Sequence, residues 1–521
     1  MVERELKLHV PPAAKLGLEQ ELTHLGAQAI VLRARYFDTP RRELAAAGVA
    51  LRLRLEGDTW VQTIKAPGPD ELSRLETNHE RAEPTLDLSL YQGSPVEALL
   101  AGLQGPLLLR YETHINRLVY RHDTGQGVVE FAYDQGVITA QGLELGVCEL
   151  ELEQISSDID ALFTLGEEWL RRYGLIVDLR SKAERGDALA KLADKTAARG
   201  AKGDHAVADL DRLYRPHRSR AVALHKAQHI HDVYQQCAAD CLNQAIRNAA
   251  FLAGVDGPRH NSRLPALYVR ELRVGIRRLR TCWKFFEPWI GSPKHAGAAE
   301  LRNSFSSFGI YRDSDVVHLE ITPSLLKAGM VHVHWPASEL PPRPTPQLLA
   351  ASTGFQILLL LLLREQVMAR DVPVDEPSTN ESPAGARQKL QDMLTLRLDS
   401  WLKKIVREGK HFERLTIDAQ HELRKRVKSL RYALEFCIAL LPGKRPEHLR
   451  ASLEVVQEAL GQLNDLYVAH AAYKKVVQHQ PQAWFAVGWL AAMQEVKKAQ
   501  AALCFSVLAE AAAHEDTDKG D

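Results

Sequence analysis

The sequence predicts an α+β multidomain protein, with an N-terminal antiparallel sheet accompanied by helices and a C-terminal all-α domain built from a duplicated helical bundle. Residues 1 to about 190 mostly alternate polar and apolar side chains with the period of two that is typical of strands. From about 210 to 511, apolar residues recur at the three-to-four spacing of helices. Within this half, residues 270–286 align with 421–437 at an offset of 151, which indicates an internal duplication.

Length and composition exclude several classes of protein. The 521 residues exceed one ordinary domain, and 66 basic residues balance 66 acidic ones, so no global attraction to nucleic acid is expected. The six cysteines form no CxxC pair, and the first residues contain charges instead of a signal-peptide core, so we expect a cytoplasmic protein. The apolar run ILLLLLL at 357–363 is far shorter than the roughly 18 residues of a membrane span, and we predict a buried helix there without a membrane partner.

Changes in composition divide the chain into domains. Small and polar residues at 195–209 indicate a linker, and proline-rich or polar stretches interrupt the helical half. Helices are expected near 11–25 and 158–173 within the strand half. The predicted organisation is a first domain at 1–195, a linker at 196–214, a helical domain at 215–511 with repeats at 215–335 and 388–511, a proline-rich and disordered insert near 336–387, and a tail at 512–521.

The strand half carries charges on one face of each strand. Glu3, Glu5 and Lys7 share a face, as do Glu149 and Glu151. An antiparallel sheet with one solvated face would also show this pattern. However, carboxylates and bases segregate by strand, and the opposite face is apolar enough to need a cover of helices. If the charged face curls inward, it lines a tunnel with carboxylates on one wall and bases on the other, including 33/35, 52/54, 65 and 117.

Such a tunnel suits a polyphosphate together with a divalent cation. Mg²⁺ and Mn²⁺ take carboxylate and phosphate oxygens as ligands. Arg and Lys neutralise the remaining phosphate charge, Arg often through two parallel hydrogen bonds. The opening segment MVERELKL is therefore a candidate metal wall, although a surface strand remains the alternative.

An ordered series of motifs resembles the CYTH family of triphosphate tunnel metalloenzymes. In chain order these are ExExK at 3–7, YFDT at 36–39, GVALRLR at 48–54, TIK at 63–65, RLE at 74–76, Thr113 with Arg117, VEFAYDQG at 129–136, ELELE at 149–153 and SKAERG at 181–186. The resemblance covers about 1–190. It implies an eight-stranded antiparallel β tunnel that hydrolyses triphosphates with Mg²⁺ or Mn²⁺.

The resemblance also implies roles for individual residues. The implied metal ligands are Glu3, Glu5, Glu149 and Glu151, with Glu130 and Asp134 as further candidates. The candidate phosphate-binding residues are Arg33, Arg35, Arg52, Arg54, Lys65, Arg74, Arg117, Lys182 and Arg185. Lys7 together with Tyr36 would activate water. A Lys base needs a lowered pKa, which neighbouring arginines favour and Glu3 and Glu5 oppose, so Lys7 as a phosphate ligand is the alternative.

Two basic stripes mark the helical half. Arg270, Arg273, Arg277 and Arg280, extended by Lys284, follow the spacing of one helix face, and the duplicate repeats it with His421, Arg424, Lys428 and Arg431. A solvated basic face is one interpretation. Like charges four residues apart destabilise a helix, so two such stripes favour an anionic partner. No aromatic-interleaved RNA motif accompanies them, and we expect a linear polyanion rather than nucleic acid.

These stripes, with the Gly309–Arg312–Asp313 and Gly461–Asn464–Asp465 segments, resemble the CHAD family of conserved-histidine α-helical domains over about 215–511. The resemblance implies two pseudo-symmetric bundles that bind long-chain inorganic polyphosphate. Arg270 replaces the first family histidine and keeps the positive charge. The sequence thus predicts an inorganic triphosphatase of the hydrolase class, acting on tripolyphosphate and located at polyphosphate granules. Thiamine-triphosphatase, a nucleotide-triphosphate enzyme such as a class IV adenylate cyclase, and a non-catalytic polyphosphate scaffold are the alternatives.

Overall fold

The computed structural model describes residues 2–198, 213–219, 222, 224, 229–256, 264–291, 295, 297–335, 344–371 and 383–513. Most of the predicted linker, residues 336–343 and 372–382 of the predicted insert, and the tail beyond residue 513 lie outside these residues. Within them, an antiparallel closed sheet with helices is followed by a helical domain, and this confirms the predicted fold class.

Nine strands form the sheet: β1 Val2–His9, β2 Gln28–Asp38, β3 Ala50–Glu56, β4 Thr59–Pro67, β5 Ser73–Arg81, β6 Leu108–Asp123, β7 Val128–Ala140, β8 Leu143–Gln154 and β9 Ile176–Val177. Hydrogen bonds join them in the order β5-β4-β3-β2-β6-β7-β8-β1, and a further pairing of β1 with β5 closes the ring of eight. The short β9 adds to β1 outside this ring. The predicted eight-stranded tunnel is therefore present.

The helices of the first domain are α1 Lys15–His24, α2 Glu43–Ala46, α3 Glu97–Ala101, α4 Ile159–Tyr173 and α5 Lys182–Ala198. Those of the second are α6 Ile230–Leu252, α7 Leu264–Ile290, α8 Ala298–Asp315, α9 Thr322–Lys327, α10 Pro346–Ala350, α11 Thr353–Asp371, α12 Pro383–Gly409, α13 Ile417–Cys437, α14 Arg445–Val476 and α15 Trp484–Ala513. A π-helical turn, Val316–Ile321, follows α8. Helix α5 extends three residues past the predicted end of the first domain at 195.

Alternation along β1 and β8 sends apolar side chains outward and charged ones inward. Leu6 and Leu8 of β1 pair with Leu152 and Leu150 of β8, and all four are fully buried under a cover of helices. Removing these leucines from water supplies much of the driving force for packing α4 against the sheet. The charged residues consequently face the tunnel.

Helix α5 fills one end of the tunnel. Leu189, Ala190 and Ala193 of this helix pack against Tyr36 and other inward-facing apolar residues of the sheet. The Tyr111 hydroxyl donates a hydrogen bond to the Ala183 carbonyl oxygen (3.0 Å). One end is thus an apolar plug, and the charged residues occupy the remainder.

A substitution at Gly186 tests this plug. A Cβ at Gly186 would overlap the ring of Tyr111, so we expect Gly186→Ala to lower the free energy of unfolding by about 1–3 kcal/mol. The matched control is Gly488→Ala in α15, where a Cβ meets no atom within 4 Å and about 0.5–1 kcal/mol should be gained. Urea unfolding of both variants measures the difference, and equal midpoints would show that α5 does not pack as described.

Helix α11 lies between the two domains. Its run at 357–363 is a buried helix, as predicted, and it packs on α4. The Gln356 side-chain oxygen accepts a hydrogen bond from the Val177 N–H (2.9 Å), and Arg364 pairs with Asp160 (2.6 Å). This helix lies inside the segment predicted as a proline-rich and disordered insert, and α12 also begins within it, so that prediction is corrected for 344–371 and 383–387. The long-range contacts of α11 explain its order.

Candidate functional site

The tunnel interior contains carboxylates on three adjacent strands. They are Asp134 on β7, Glu149 and Glu151 on β8, and Glu3 and Glu5 on β1. Bases come from β3, β4 and β6 and from helix α5: Arg52, Arg54, Lys65, Arg117, Lys182 and Arg185. The interior therefore has an acidic sector facing a largely basic one, as the alternation of the sequence indicates.

Three carboxylates converge at the centre of the acidic sector. Oxygen atoms of Asp134, Glu149 and Glu151 lie within 4.8 Å of one another, and all three residues are buried. The Lys182 ammonium lies between them, at 2.5, 2.5 and 3.0 Å respectively. A buried carboxylate group of this density requires a cation, and its all-oxygen donor set fits a hard divalent ion.

Lys7 lies beside this cluster as an ammonium. Its Nζ is 2.5 Å from Glu151 and 2.7 Å from Glu5. Burial favours the neutral amine, but the charges of Glu151 and Glu5 outweigh it and hold the pKa of Lys7 above its usual value. A general base needs the opposite shift. In this arrangement Lys7 is thus suited to binding anions, which was the alternative left open by the sequence.

Arg117 connects the acidic sector to the basic one. Its guanidinium donates two parallel hydrogen bonds to Asp134 (2.6 and 2.7 Å) and one to Glu151 (2.8 Å). Glu151 consequently accepts charge-assisted hydrogen bonds from Lys7, Lys182 and Arg117. It is the most connected carboxylate of the cluster.

A second carboxylate group lies at the junction of β1 and β5. Lys65 Nζ is 2.6 Å from both Glu3 and Glu76. Burial and the hydrogen bond with Glu76 raise the pKa of Glu3 to about 8. Burial also raises the pKa of Glu153 to about 7. The charge of Lys65 lowers this pKa, and the charges of Glu5 and Glu130 raise it further. Glu76 and Glu153 are tunnel residues that continue the charged alternation of RLE at 74–76 and ELELE at 149–153, although neither was among the predicted metal ligands.

Tyr36 faces the interior on the wall opposite Lys7. Strands β1 and β2 are four positions apart in either direction around the closed sheet. The Tyr36 ring stacks on Tyr111 (centroids 4.6 Å apart), and its hydroxyl accepts a hydrogen bond from Arg52 (3.3 Å). Burial raises the pKa of Tyr36, but the charge of Arg52 outweighs it and the net shift is downward. Tyr36 and Lys7 thus lie on opposite walls of the tunnel, and their joint role in activating water stays a prediction.

Some predicted residues lie elsewhere. Arg33 and Arg35 are exposed on the outer face, where Arg35 pairs with Glu112 (3.2 Å), which corrects their assignment to the tunnel. Tyr36 points inward, so its neighbour Arg35 must point outward. Glu130 pairs with the exposed Arg121 (2.9 Å) at a distance from the central cluster, whereas Arg74 lines a small cavity with Glu5 and Lys7.

The two predicted stripes meet on the surface of the helical domain. Helices α7 and α13 pack together, and Thr281 contacts Ser429 (3.5 Å). Burial and the charge of Arg277 lower the pKa of Arg273 to about 10. Burial, with Arg277 and Arg424, also lowers the pKa of Lys428. Because α7 and α13 pack together, the facing bases of the two stripes form one patch, which we call the basic patch, composed of Arg273, Arg277, Arg424 and Lys428.

The other predicted stripe residues surround the basic patch. Arg270 is exposed beside Glu271, and His421 contacts Asn464 (3.2 Å). Arg280 lies over the Phe305 ring, and Lys284 lies 5.8 Å from the Trp401 ring centroid. Arg431 pairs with Glu435 and donates to Gln457 (2.8 Å), so its charge is already compensated. Asp313 and Asp465 are electrostatic neighbours of Arg424.

None of the described helices is both long enough and apolar enough to cross a membrane.

Comparison with known proteins identifies both domains. Residues 1–186 match the family model of the CYTH domain, and residues 260–474 match that of the CHAD domain. An inorganic triphosphatase of Haemophilus influenzae is 32% identical over 194 residues, which cover 35% of this chain and 54% of the relative. The chain thus spans about half the length of this curated relative.

Solved structures show weaker similarity. The CHAD domain of the plant Ricinus communis is 22% identical, with a TM-score of 0.41, over 56% of this chain and 96% of that chain. A Hippeastrum protein with a dominant triphosphatase activity is 19% identical, with a TM-score of 0.25, over 39% of this chain and 98% of that chain. The two family models thus give a CYTH domain at residues 1–186 and a CHAD domain at residues 260–474.

Proposed function

We propose that the tunnel hydrolyses inorganic tripolyphosphate to pyrophosphate and phosphate with Mg²⁺ or Mn²⁺. The observation that supports this most strongly is the buried cluster of Asp134, Glu149 and Glu151 opposite a basic sector. A binder of phosphate alone would need only the bases. The curated relative is itself an inorganic triphosphatase.

The metal would be held by Asp134, Glu149 and Glu151. Glu5 lies close to this cluster, because Lys7 pairs with both Glu5 and Glu151. When bound, it would neutralise phosphate charge and act as a Lewis acid. Lys182 would then exchange carboxylate partners for phosphate oxygens. The interior is thus a set of exchangeable ion pairs.

The protein's bases would stabilise the reaction by charge and position. In phosphoryl transfer, charge spreads over the equatorial oxygens of the transferred group, so fixed cations supply most of the catalysis. Arg52, Arg54 and Arg117 are half-buried bases with inward-facing positions, and Lys65 and Arg74 line the β5 side. Water attacks the terminal phosphorus, the bridging P–O bond breaks, and pyrophosphate leaves with the electron pair, while the released orthophosphate keeps the protons of the water. Lys7 contributes as an ammonium that binds phosphate.

For the helical domain we propose long-chain polyphosphate binding by the basic patch. Half-buried cations held close together are costly without an anion, so a partner with repeating negative charge is favoured. Such binding would hold the enzyme at polyphosphate granules in a cytoplasmic setting. A pure scaffold role would leave the buried tunnel carboxylates without a purpose.

The substrate is tested by comparing tripolyphosphate, ATP and thiamine triphosphate at one Mn²⁺ concentration. Recognition by charge predicts the highest kcat/KM for tripolyphosphate, because it carries no organic group that needs a pocket. Higher turnover of ATP or thiamine triphosphate would favour the corresponding nucleotide or thiamine enzyme. No turnover of any of the three, with long-chain polyphosphate still bound, would favour the scaffold.

A further inference from the structure

One acidic residue of the helical domain reaches the base of the tunnel. Asp256 lies in the turn after α6 with a left-handed backbone (φ 51°), a conformation that Asp tolerates better than most residues. The preceding Val255 is buried against Ile176 of β9, which fixes the turn against the first domain. Asp256 falls outside both regions that match the family models.

Asp256 contacts a tunnel base directly. Arg185 Nη2 donates to Asp256 Oδ1 (2.8 Å), while Nη1 of the same guanidinium donates to Glu149 (3.1 Å). The side chains of all three residues are less than one-tenth exposed. Arg185 therefore bridges a carboxylate of the second domain and a carboxylate of the central cluster.

A second arginine strengthens this junction. Arg180 Nη2 lies 3.1 Å from Asp256 Oδ2, and the same guanidinium donates two hydrogen bonds to Asp178 (2.9 and 2.6 Å). Its guanidinium lies 4.5 Å from the ring centroid of Phe251 on α6. Asp256 thus helps to balance two buried guanidinium groups at the domain boundary, where unpaired charge would be costly.

We propose that Asp256 is a positioning residue of the tunnel, acting through Arg185 on Glu149. This rests on the proposed function, in which Glu149 is a metal ligand. With Asp256 in place, Arg185 shares its charge between two carboxylates and leaves Glu149 available to a divalent cation. Without the Asp256 carboxylate, Arg185 would keep only Glu149 as a carboxylate partner among the described residues. Its guanidinium would then compete with the metal for Glu149.

The test compares full-length wild-type protein with Asp256→Asn, which keeps the shape of the side chain and removes its charge. Mn²⁺ binding is measured without substrate, by the electron paramagnetic resonance signal of free Mn²⁺. We expect about tenfold weaker Mn²⁺ binding, the size typical of losing an outer-shell partner of a metal ligand. Unchanged Mn²⁺ affinity would overturn the proposal.

The control removes another ion pair between the domains. Arg364→Gln breaks the contact with Asp160, on the α11 side of the interface, and should leave Mn²⁺ affinity unchanged. An equal loss in both variants would overturn the proposal, because general loosening of the interface would explain it. In addition, Asp256→Asn combined with Arg185→Lys should bind Mn²⁺ no more weakly than Arg185→Lys alone, whereas additive losses would show that Asp256 does not act through Arg185.

The Mn²⁺ titrations test the role of Asp256 independently of whether the tunnel hydrolyses triphosphates. If the wild type hydrolyses no triphosphate, the proposed function fails, yet the Mn²⁺ titrations still decide the role of Asp256. If the wild type is active, kcat/KM for tripolyphosphate at limiting Mn²⁺ should fall in Asp256→Asn and recover at saturating Mn²⁺. Failure to recover would contradict a role in metal binding.

Discussion

Replacing Glu151 by Gln is expected to lower tripolyphosphate hydrolysis at least a hundredfold. This carboxylate accepts hydrogen bonds from Lys7 (2.5 Å), Lys182 (3.0 Å) and Arg117 (2.8 Å), and it is one of the three carboxylates of the central cluster. The amide removes the negative charge that holds these cations and weakens the oxygen donor set for the metal. Phosphate release at saturating Mn²⁺ measures the loss.

Stability must be followed together with activity in this variant. Removing one partner of a buried ion pair leaves uncompensated charge and costs about 3–5 kcal/mol. Thermal unfolding therefore has to show that Glu151→Gln is folded at the assay temperature. The matched control is Glu144→Gln, since Glu144 lies on the same strand but is exposed, and this variant should retain wild-type turnover. A folded Glu151→Gln protein with undiminished turnover would rule out the cluster as the metal site.

The alternation of the strands made most of the tunnel predictable. Once Glu5 faces inward, the positions of Glu3 and Lys7 follow from geometry, and the pairing of Lys7 with Glu151 brings β8 to the same wall. The same rule exposes the error at β2, because Arg35 and Tyr36 are adjacent and cannot both face the interior. Choosing residues by charge instead of by position produced that mistake.

Other features depended on contacts that no local pattern encodes. Lys182 was expected to bind phosphate, but the docking of α5 places its ammonium among three carboxylates. The run at 357–363 was predictable as a buried helix, whereas its position between the domains was not. Asp256 reaches the tunnel only through packing of the turn after α6. Contacts between residues distant in sequence determine all three.

In the tunnel, Glu151→Gln is expected to lower both stability and activity. In the helical domain we expect a variant that loses binding and gains stability. We expect Arg277→Glu with Lys428→Glu to abolish binding of long-chain polyphosphate, while tripolyphosphate turnover in the tunnel stays at the wild-type level. The basic patch would lose two of its four cations and gain two anions, which cancels its net positive charge. Binding is measured by titrating labelled long-chain polyphosphate at low salt, where charge-driven binding is strongest.

The same double variant should also be more resistant to heat than the wild type. The pKa of Lys428 is held below its usual value, so its protonated form is disfavoured in the folded state. That cost is present below the unfolded pKa, hence at neutral pH, and disappears as the pH rises above that pKa. Replacing the crowded cations by carboxylates removes the repulsion and creates pairs with Arg273 and Arg424.

A control on the same helix separates this effect from net charge. Lys425→Glu with Arg426→Glu changes the charge by the same amount, but both residues are exposed on α13 and pair with Glu422 and Glu408. This variant should keep polyphosphate binding and gain no thermal stability. If both double variants lose binding equally, attraction depends on overall charge and the basic patch is not the site. Loss of binding with a gain in stability, confined to Arg277 and Lys428, would mean that the like-charge crowding is maintained for an anionic ligand.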